Sequence, residues 1–424
     1  MRLLHFADLH IGVENYSRTD PNTGLSSRLN DFLSAFDELV DYAIETRIDA
    51  VLFAGDAYKN RDPSQTHQRE FAKRIAKLAS TGIPVFLAVG NHDLPAVPGR
   101  ATALEIYPTL NIPGVYVADT IATTTLNTPS GVLQVIGLPW VRRGSFLASH
   151  KTRDMSLEDI NTLLRTRLTE SLAEEFKNLD PNIPAVLVGH VTVEGATLGS
   201  ERSMMLGRDH YLFPSAVANP LLDYVALGHI HKHQIVSQSP SIVYSGSLQR
   251  VDFSEEAEEK GFCVIELDPT NLPGKRFVSC EFKPVQARTF LTIDVTIPPD
   301  DSDPTQRVIN SIASKHIVGA IIRLRIQVPE ELESMLQEGA IRDVLSGAHY
   351  VAGIQRDVLR SHRTRLPSEA TKDLSPKEAL RLYLGSRSTD LKQTNRLIQS
   401  ADLLLREELE GVSEDGETPK THNT

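Results

Sequence analysis

Asp8 and His10, Asp56, Asn91 and His92, His190, and His229 with His231 each stand just beyond a short apolar run. Their donors are oxygen and nitrogen with no thiolate, a set that suits Mn²⁺-, Fe²⁺- or Mg²⁺-like ions better than a structural zinc. Asp8 and His10, two residues apart, project to one side of an extended segment and can share an ion. Asp56 follows Gly55, whose missing side chain permits a tight turn, and its two oxygens make it the natural bridge between two ions. Asn91 offers a neutral carbonyl oxygen behind Gly90, His190 and His229 each follow a glycine, and His231 repeats the two-residue spacing. Two ions about 3.5–4 Å apart can activate water, orient a phosphodiester for in-line attack and neutralise the transition-state charge. His92 is set apart: Asn91 points at the ions and leaves the imidazole to face phosphate, where it stabilises the transition state or protonates the leaving oxygen. Asp93 suits a loop-fixing role or a hydrogen bond that orients His92.

A lone Asp past a strand is ordinarily a turn residue or helix cap, and a lone Gly-His pair is weak evidence. Five coordinated occurrences, each with strand, turn and glycine, favour a metal site. His5, His67, His150, His210, His233, His316, His349 and His362 lack that context and read as surface or core histidines, His233 lying nearest the site in sequence. Trp140, after Pro139, reads as a packed anchor rather than a stacking platform. Arg323 and Arg325 read as part of a solvated sheet face.

The apolar runs that position these groups are Leu3 to Ala7, Val51 to Ala54, Val85 to Val89, Ala185 to Val188 and Tyr224 to Leu227. Each reads as a buried strand, so groups leaving the carboxyl ends can converge on one cleft across more than two hundred residues. Helical spacing over 28–47, 64–79 and 156–176 separates strands, whereas 115–140 carries strands without a long helix. Further strands at 242–245 and 262–267 raise the count to one that two stacked sheets accommodate better than a single sheet. The expected fold class is α/β: a two-sheet sandwich flanked by helices, with a small α/β domain and C-terminal helices.

That small domain begins near Arg288. Residues 290–297 and 322–328 alternate as half-buried strands, a third strand lies near 350–354, and helices are expected over 304–315 and 329–345. The expected organisation is 1–287 for the catalytic domain, 288–360 for the small domain, 361–374 for a linker, 375–411 for a helical segment and 412–424 for a disordered tail. Ser375, Pro376 and Glu378 spell a capping box with proline at the first helical position, and Gly385 can end that helix. Residues 389–410 place Leu391, Leu397, Ile398, Ala401, Leu404 and Leu405 on one face.

The 424 residues, 40% hydrophobic, can build a substantial core, and no apolar stretch approaches the roughly 18–20 residues that cross a bilayer. No signal-peptide pattern opens the chain, so the expected location is cytoplasmic, with no membrane partner. Cys263 and Cys280 read as free thiols. A formal net charge of −11 argues against nucleic-acid binding through a broad basic surface, but not against a nucleic-acid enzyme whose cations offset carboxylates at the site.

With these residues in hand, the chain resembles the calcineurin-like metallophosphoesterases, whose five blocks match Asp8-Leu9-His10, Gly55-Asp56, Gly90-Asn91-His92-Asp93, Gly189-His190 and Gly228-His229-Ile230-His231. Within them it is similar to the SbcD-type nuclease subunits, through the segments starting at Gly189 and Ala226 and the run Tyr244 to Glu256. The resemblance covers residues 1 to about 287. It implies one metal on Asp8, His10, Asp56 and His231, a second on Asp56, Asn91, His190 and His229, and His92 as the catalytic histidine. It further implies Mn²⁺ as cofactor, DNA as substrate, a DNA-capping role for the small domain, and C-terminal helices that dock on an SbcC-type coiled-coil ATPase within a heterotetramer containing a homodimer. Some relatives carry a second phosphate-facing histidine shortly after the second block, where this chain has Ala57, Tyr58 and Lys59. The expected activity is a Mn²⁺-dependent DNA exonuclease/endonuclease. The competing readings are a phosphoesterase for small molecules or phosphoproteins on the same core, and a DNA-end-binding scaffold for an ATPase.

Overall fold

The computed structural model describes residues 1–95, 97, 99–142, 155–199, 211–360, 375–386 and 393–402. The expected linker at 361–374, the tail, and Leu391, Leu404 and Leu405 lie outside them. Two compact units divide the chain: 1–294, 308–325 and 339–355 form the larger, and 295–307, 326–338 and 356–424 the smaller.

In the larger unit the strands are β1 (Arg2–Phe6), β2 (Ala50–Phe53), β3 (Val85–Ala88), β4 (Val115–Ala118), β5 (Ala122–Thr128), β6 (Gly131–Leu138) and β7 (Ala185–His190). After two short strands, β8 (Thr192–Val193) and β9 (Tyr211–Leu212), come β10 (Tyr224–Gly228), β11 (Gln234–Gln238), β12 (Ser241–Tyr244), β13 (Gly261–Leu267) and β14 (Phe277–Pro284). They build two six-stranded sheets of order β14-β13-β1-β2-β3-β4 and β11-β12-β10-β7-β6-β5. Four strands of each are mutually parallel: β1 to β4 in the first, β12, β10, β7 and β6 in the second. Antiparallel strands flank them.

Residues alternate across every central strand, and both faces are apolar, which is why the runs look continuous in the sequence. Leu3, Ala7, Leu52, Ala54, Phe86 and Ala88 of the first sheet pack on Val186, Val188, Tyr224 and Ala226 of the second. The opposite face of the first sheet, through Leu4, Phe6, Val51 and Phe53, takes α1 (Ser27–Glu45) and α2 (Gln65–Ser80) through Phe36, Leu39, Phe71 and Ile75. After the short α3 (Ile106–Leu110), α4 (Leu157–Lys177) covers the outer face of the second sheet with Leu164, Leu168, Leu172 and Phe176. Serines at the caps of α1, α2 and α4 accept backbone N–H bonds, so each helix starts where a side chain satisfies its first turn. The result is the expected two-sheet sandwich flanked by helices.

Beyond α5 (Pro214–Val217), three strands, β15 (Phe290–Thr296), β16 (Ile321–Pro329) and β17 (Tyr350–Leu359), form a sheet in that order, with α6 (Pro304–Ala313) between the first two. The helix expected over 329–345 is broken: a 3₁₀ turn at Glu333–Met335 is followed by extended Leu336, and α7 spans only Glu338–Val344. Thr305 accounts for the break, its hydroxyl accepting from Gln337 N and donating to the Met335 carbonyl, so those backbone groups are satisfied outside a helix. The capping box forms as expected, with Glu378 accepting from Ser375 N and Ser375 Oγ at the start of α8 (Pro376–Ser386). No described helix is long and apolar enough to cross a membrane.

Where the two sheets meet, Gly228 of β10 lies against β1 and β2. A Cβ there would overlap the Ala54 carbonyl oxygen and stand 2.7 Å from the Ala7 Cβ, both of them backbone or immobile groups. Gly228→Ala should therefore lower unfolding stability by about 1–3 kcal/mol, read from the midpoint of a urea melt, because the strand ends have nowhere to move.

Candidate metal centre

The central parallel strands of both sheets point their carboxyl ends to one place. Asp8 and His10 follow β1, Asp56 follows β2, Asn91 and His92 follow β3, His190 ends β7, and His229 and His231 follow β10. Asp8 (φ 52°), His10 (47°), Asp56 (63°) and His229 (95°) occupy the left-handed backbone region that L-residues avoid. The chain turns sharply out of each strand there, and the strain falls on the residues that carry the donors. Gly55 and Gly90 make room: a Cβ on Gly55 would overlap the His190 ring, and one on Gly90 would overlap the Asp56 carboxylate.

All eight predicted groups converge. Asp56 Oδ2 stands 3.7 Å from His10 Nε2 and 3.4 Å from His190 Nε2. His10 Nε2 lies 2.9 Å from His231 Nε2. On the other side Asn91 Oδ1 lies 2.9 Å from His190 Nε2 and 3.1 Å from His229 Nδ1. Asp8, His10 and His231 offer ligand atoms within 4.8 Å of one another, as do Asp8, Asp56 and His190, and His10, Asp56 and His92. One expectation changes: a single oxygen of Asp56 faces both halves of the cluster, because Oδ1 accepts from His92 N at 2.8 Å.

Neighbouring acceptors fix which ring nitrogen of three histidines always carries a proton. The Ala54 carbonyl can only accept, so His190 Nδ1 carries a proton at 2.7 Å and Nε2 is the nitrogen turned to Asn91. Glu255 accepts from His231 Nδ1 at 2.7 Å, which turns His231 Nε2 toward His10. The Lys59 carbonyl accepts from His92 Nδ1 at 2.7 Å, so Nε2 is the nitrogen left to face the cluster. The donor atoms thus converge in two places at 2.9 Å, where lone pairs repel unless a proton or a cation lies between them. Donors about 2.1 Å from one ion and at right angles stand about 3 Å apart, so the spacing and the donor chemistry both fit divalent cations.

Electrostatics carries the same signal. Burial lifts the Asp8 carboxyl to about 7 against the pull of His190 and His231. Burial would also raise Asp56, but His190, His92 and His10 together hold it well below the usual carboxylate range. Burial opposes a charged His190, and Asp56 reverses that and lifts it to about 9, so a proton occupies the place a cation would take. Burial keeps His10 neutral.

The surrounding residues sort themselves by what they hold. Asp93 fixes the loop, accepting from Asp56 N, Ala57 N and Gly90 N, each at 2.9 Å. Asp8 accepts from His229 N at 3.0 Å. His5 is a core residue bonded to Tyr224 Oη and the Leu227 carbonyl, and burial drops it to about 3. His233 is turned away, bonded to the Tyr244 carbonyl and stacked on Phe282. Glu255 escapes sequence reading: it sits in the acidic run 255–259 that looks like solvent-facing charge, yet it is 1% exposed and paired with the fully buried Lys260 at 2.8 Å. The signal that could have found it is its place within the Tyr244 to Glu256 run.

The calcineurin-like phosphoesterase model matches residues 1–233, the stretch that supplies every converging group except Glu255. The chain belongs to the calcineurin-like phosphoesterases. It is 29% identical over 287 residues to the SbcD subunit of the nuclease SbcCD of Rhodobacter capsulatus, covering 63% of this chain and 66% of that protein. The SbcD protein of Escherichia coli K12 is 27% identical over 61% of this chain and 63% of its own length, and that of Bacillus subtilis 168 is 27% identical over 63% and 67%. The match thus covers less than two thirds of the first two relatives. A dimetal phosphatase structure from Danio rerio covers 68% of this chain and 99% of its own at 11% identity, with a TM-score of 0.36 that is too low to bear on the assignment.

Two outcomes follow for cation binding. Glu255→Ala frees the His231 ring and should weaken divalent-cation affinity about 10- to 100-fold by calorimetry, with Glu255→Gln closer to the parent because its carbonyl still accepts from Nδ1. Protons and cations compete for the same lone pairs, so affinity should climb with pH through the window from about 7, set by Asp8, to about 9, set by His190.

Proposed function

We propose that this chain is the nuclease subunit of an SbcCD-like DNA-repair complex, hydrolysing phosphodiester bonds in DNA with two divalent cations, Mn²⁺ foremost. The observation that carries the reading is Asp56 Oδ2 standing between His10 Nε2 and His190 Nε2, with His92 beside them. Asp8, His10, Asp56 and His231 would hold one cation, and Asp56, Asn91, His190 and His229 the other. Cations held there supply charge that polarises a phosphoryl oxygen and makes water nucleophilic at neutral pH. The chain's own residues do the remaining work. His92 is fixed at both ends, its backbone N–H on Asp56 and its Nδ1–H on the Lys59 carbonyl, so Nε2 is aimed without conformational freedom. Once protonated at Nε2, the ring stabilises the phosphoryl charge and gives that proton to the leaving oxygen. Where some relatives place a second histidine this chain has Ala57, Tyr58 and Lys59, and the Lys59 side chain would attract phosphate there.

The similarity to the SbcD nuclease subunits supports DNA as the substrate and a coiled-coil ATPase as the partner. Residues 288–360 would cap the DNA, and residues 375–411 would dock on the ATPase, in a cytoplasmic assembly built on two copies of this chain. The described part of the docking segment has the mixed character a dock requires, with Leu384 and Ile398 buried and Tyr383 and Leu397 exposed.

His92→Ala should retain both cations by calorimetry while losing turnover on linear duplex and single-stranded DNA by about 10²–10⁴-fold. Loss of the cations in that variant contradicts the assigned role, and a parent protein that hydrolyses nucleotides but no DNA in Mn²⁺ overturns the nuclease reading. Deleting residues 375–424 should abolish co-purification with an SbcC-type ATPase, and undiminished association would refute the dock.

A further inference from the structure

Trp140 leaves the carboxyl end of β6, one strand over from His190. Its indole packs on the His229 imidazole, with ring centroids 4.8 Å apart, and meets the His190 ring edge-on at 6.1 Å. The same residue lines a cavity of about 550 Å³ whose other walls come from the segments after β3 and β4 and from α4. That volume is ordinary for a small-molecule site, and Leu94, Ile121 and Pro139 join the indole in giving it apolar walls. One aromatic ring therefore separates the candidate metal centre from an apolar cavity.

Charge narrows the occupant. Among the described residues, Asp119, Glu174 and Glu175 line the cavity beside one guanidinium, that of Arg142, a balance that disfavours phosphate inside it. Glu175 is already held by the N–H and hydroxyl of Thr123, and Glu174 by Lys177. A nucleobase matches what is left, offering ring faces to the apolar walls and an exocyclic amino donor to Asp119.

We propose that this cavity receives the nucleobase flanking the scissile phosphodiester, stacked on Trp140. The proposal rests on the nuclease reading and sharpens it. A base can enter only after leaving its duplex partner, which makes single-stranded or frayed ends the substrate class.

Trp140 is the only tryptophan among the 424 residues, so intrinsic emission reports this position alone. The full chain in Mg²⁺ is titrated with a short single-stranded phosphorothioate oligonucleotide and with its abasic counterpart. The base-bearing strand should quench emission saturably, and the abasic strand should bind roughly 5-fold or more weakly without quenching. Ser171→Phe, which fills the cavity from α4, should remove the quench while keeping the parent's melting temperature. Equal quenching by the two strands, or a full quench in the folded Ser171→Phe variant, overturns the proposal. DNA cleavage with no base-dependent quench overturns the cavity proposal alone, whereas neither cleavage nor binding overturns it together with the nuclease reading.

Discussion

Asp56 is ionised in a place where burial alone would neutralise it, and much of the centre exists to supply the compensating field. Three imidazoles surround its carboxylate, its Oδ1 accepts the His92 N–H, and its own backbone N–H is held by Asp93. Asp93 in turn is lifted to about 7 by burial and by Asp56 itself, so the loop that carries the bridge is fixed by an acid whose charge the bridge opposes. Such a cluster is unfavourable without cations and becomes consistent with them. The centre's polar geometry thus spends folding stability to hold donors ready.

That cost is met by the sandwich beneath. Four donor-bearing residues sit in the left-handed region, at about 1–3 kcal/mol each for non-glycine residues, and such strain persists only where packing over-determines it. The strands that feed them are buried on both faces, between helices on the outside and the facing sheet on the inside. Glycines 55, 90 and 228 let those strand ends approach at distances a methyl group would forbid. His5 shows the same economy in the core, since its two ring nitrogens tie the first sheet to Tyr224 and Leu227 of the second.

The donors were legible in the sequence because each follows a buried apolar run and four of the eight directly follow a glycine, two signals with separate physical origins. Strand placement was readable to within a residue or two for the same reason: a strand buried on both faces has no ambiguous side. Three things were hidden. Glu255 resembles surface charge until the fold buries it against His231 and Lys260. That a single Asp56 oxygen faces both halves of the cluster depends on the His92 backbone, which no side-chain pattern encodes. The break near Leu336 turns on the Thr305 hydroxyl some thirty residues away, and local spacing cannot register it.

The proposed substrate and the chain carry charge of the same sign, with 44 basic residues against 55 acidic ones. A broad electrostatic surface cannot then supply affinity, and attraction must be local. Under the proposed function, cations at the strand ends would supply that local charge where a phosphate meets them. Base stacking on Trp140 adds an uncharged contribution that salt does not screen, and it acts at the same step. Affinity built this way depends on cations at the site and on an unpaired base, so recognition and reaction draw on one set of contacts.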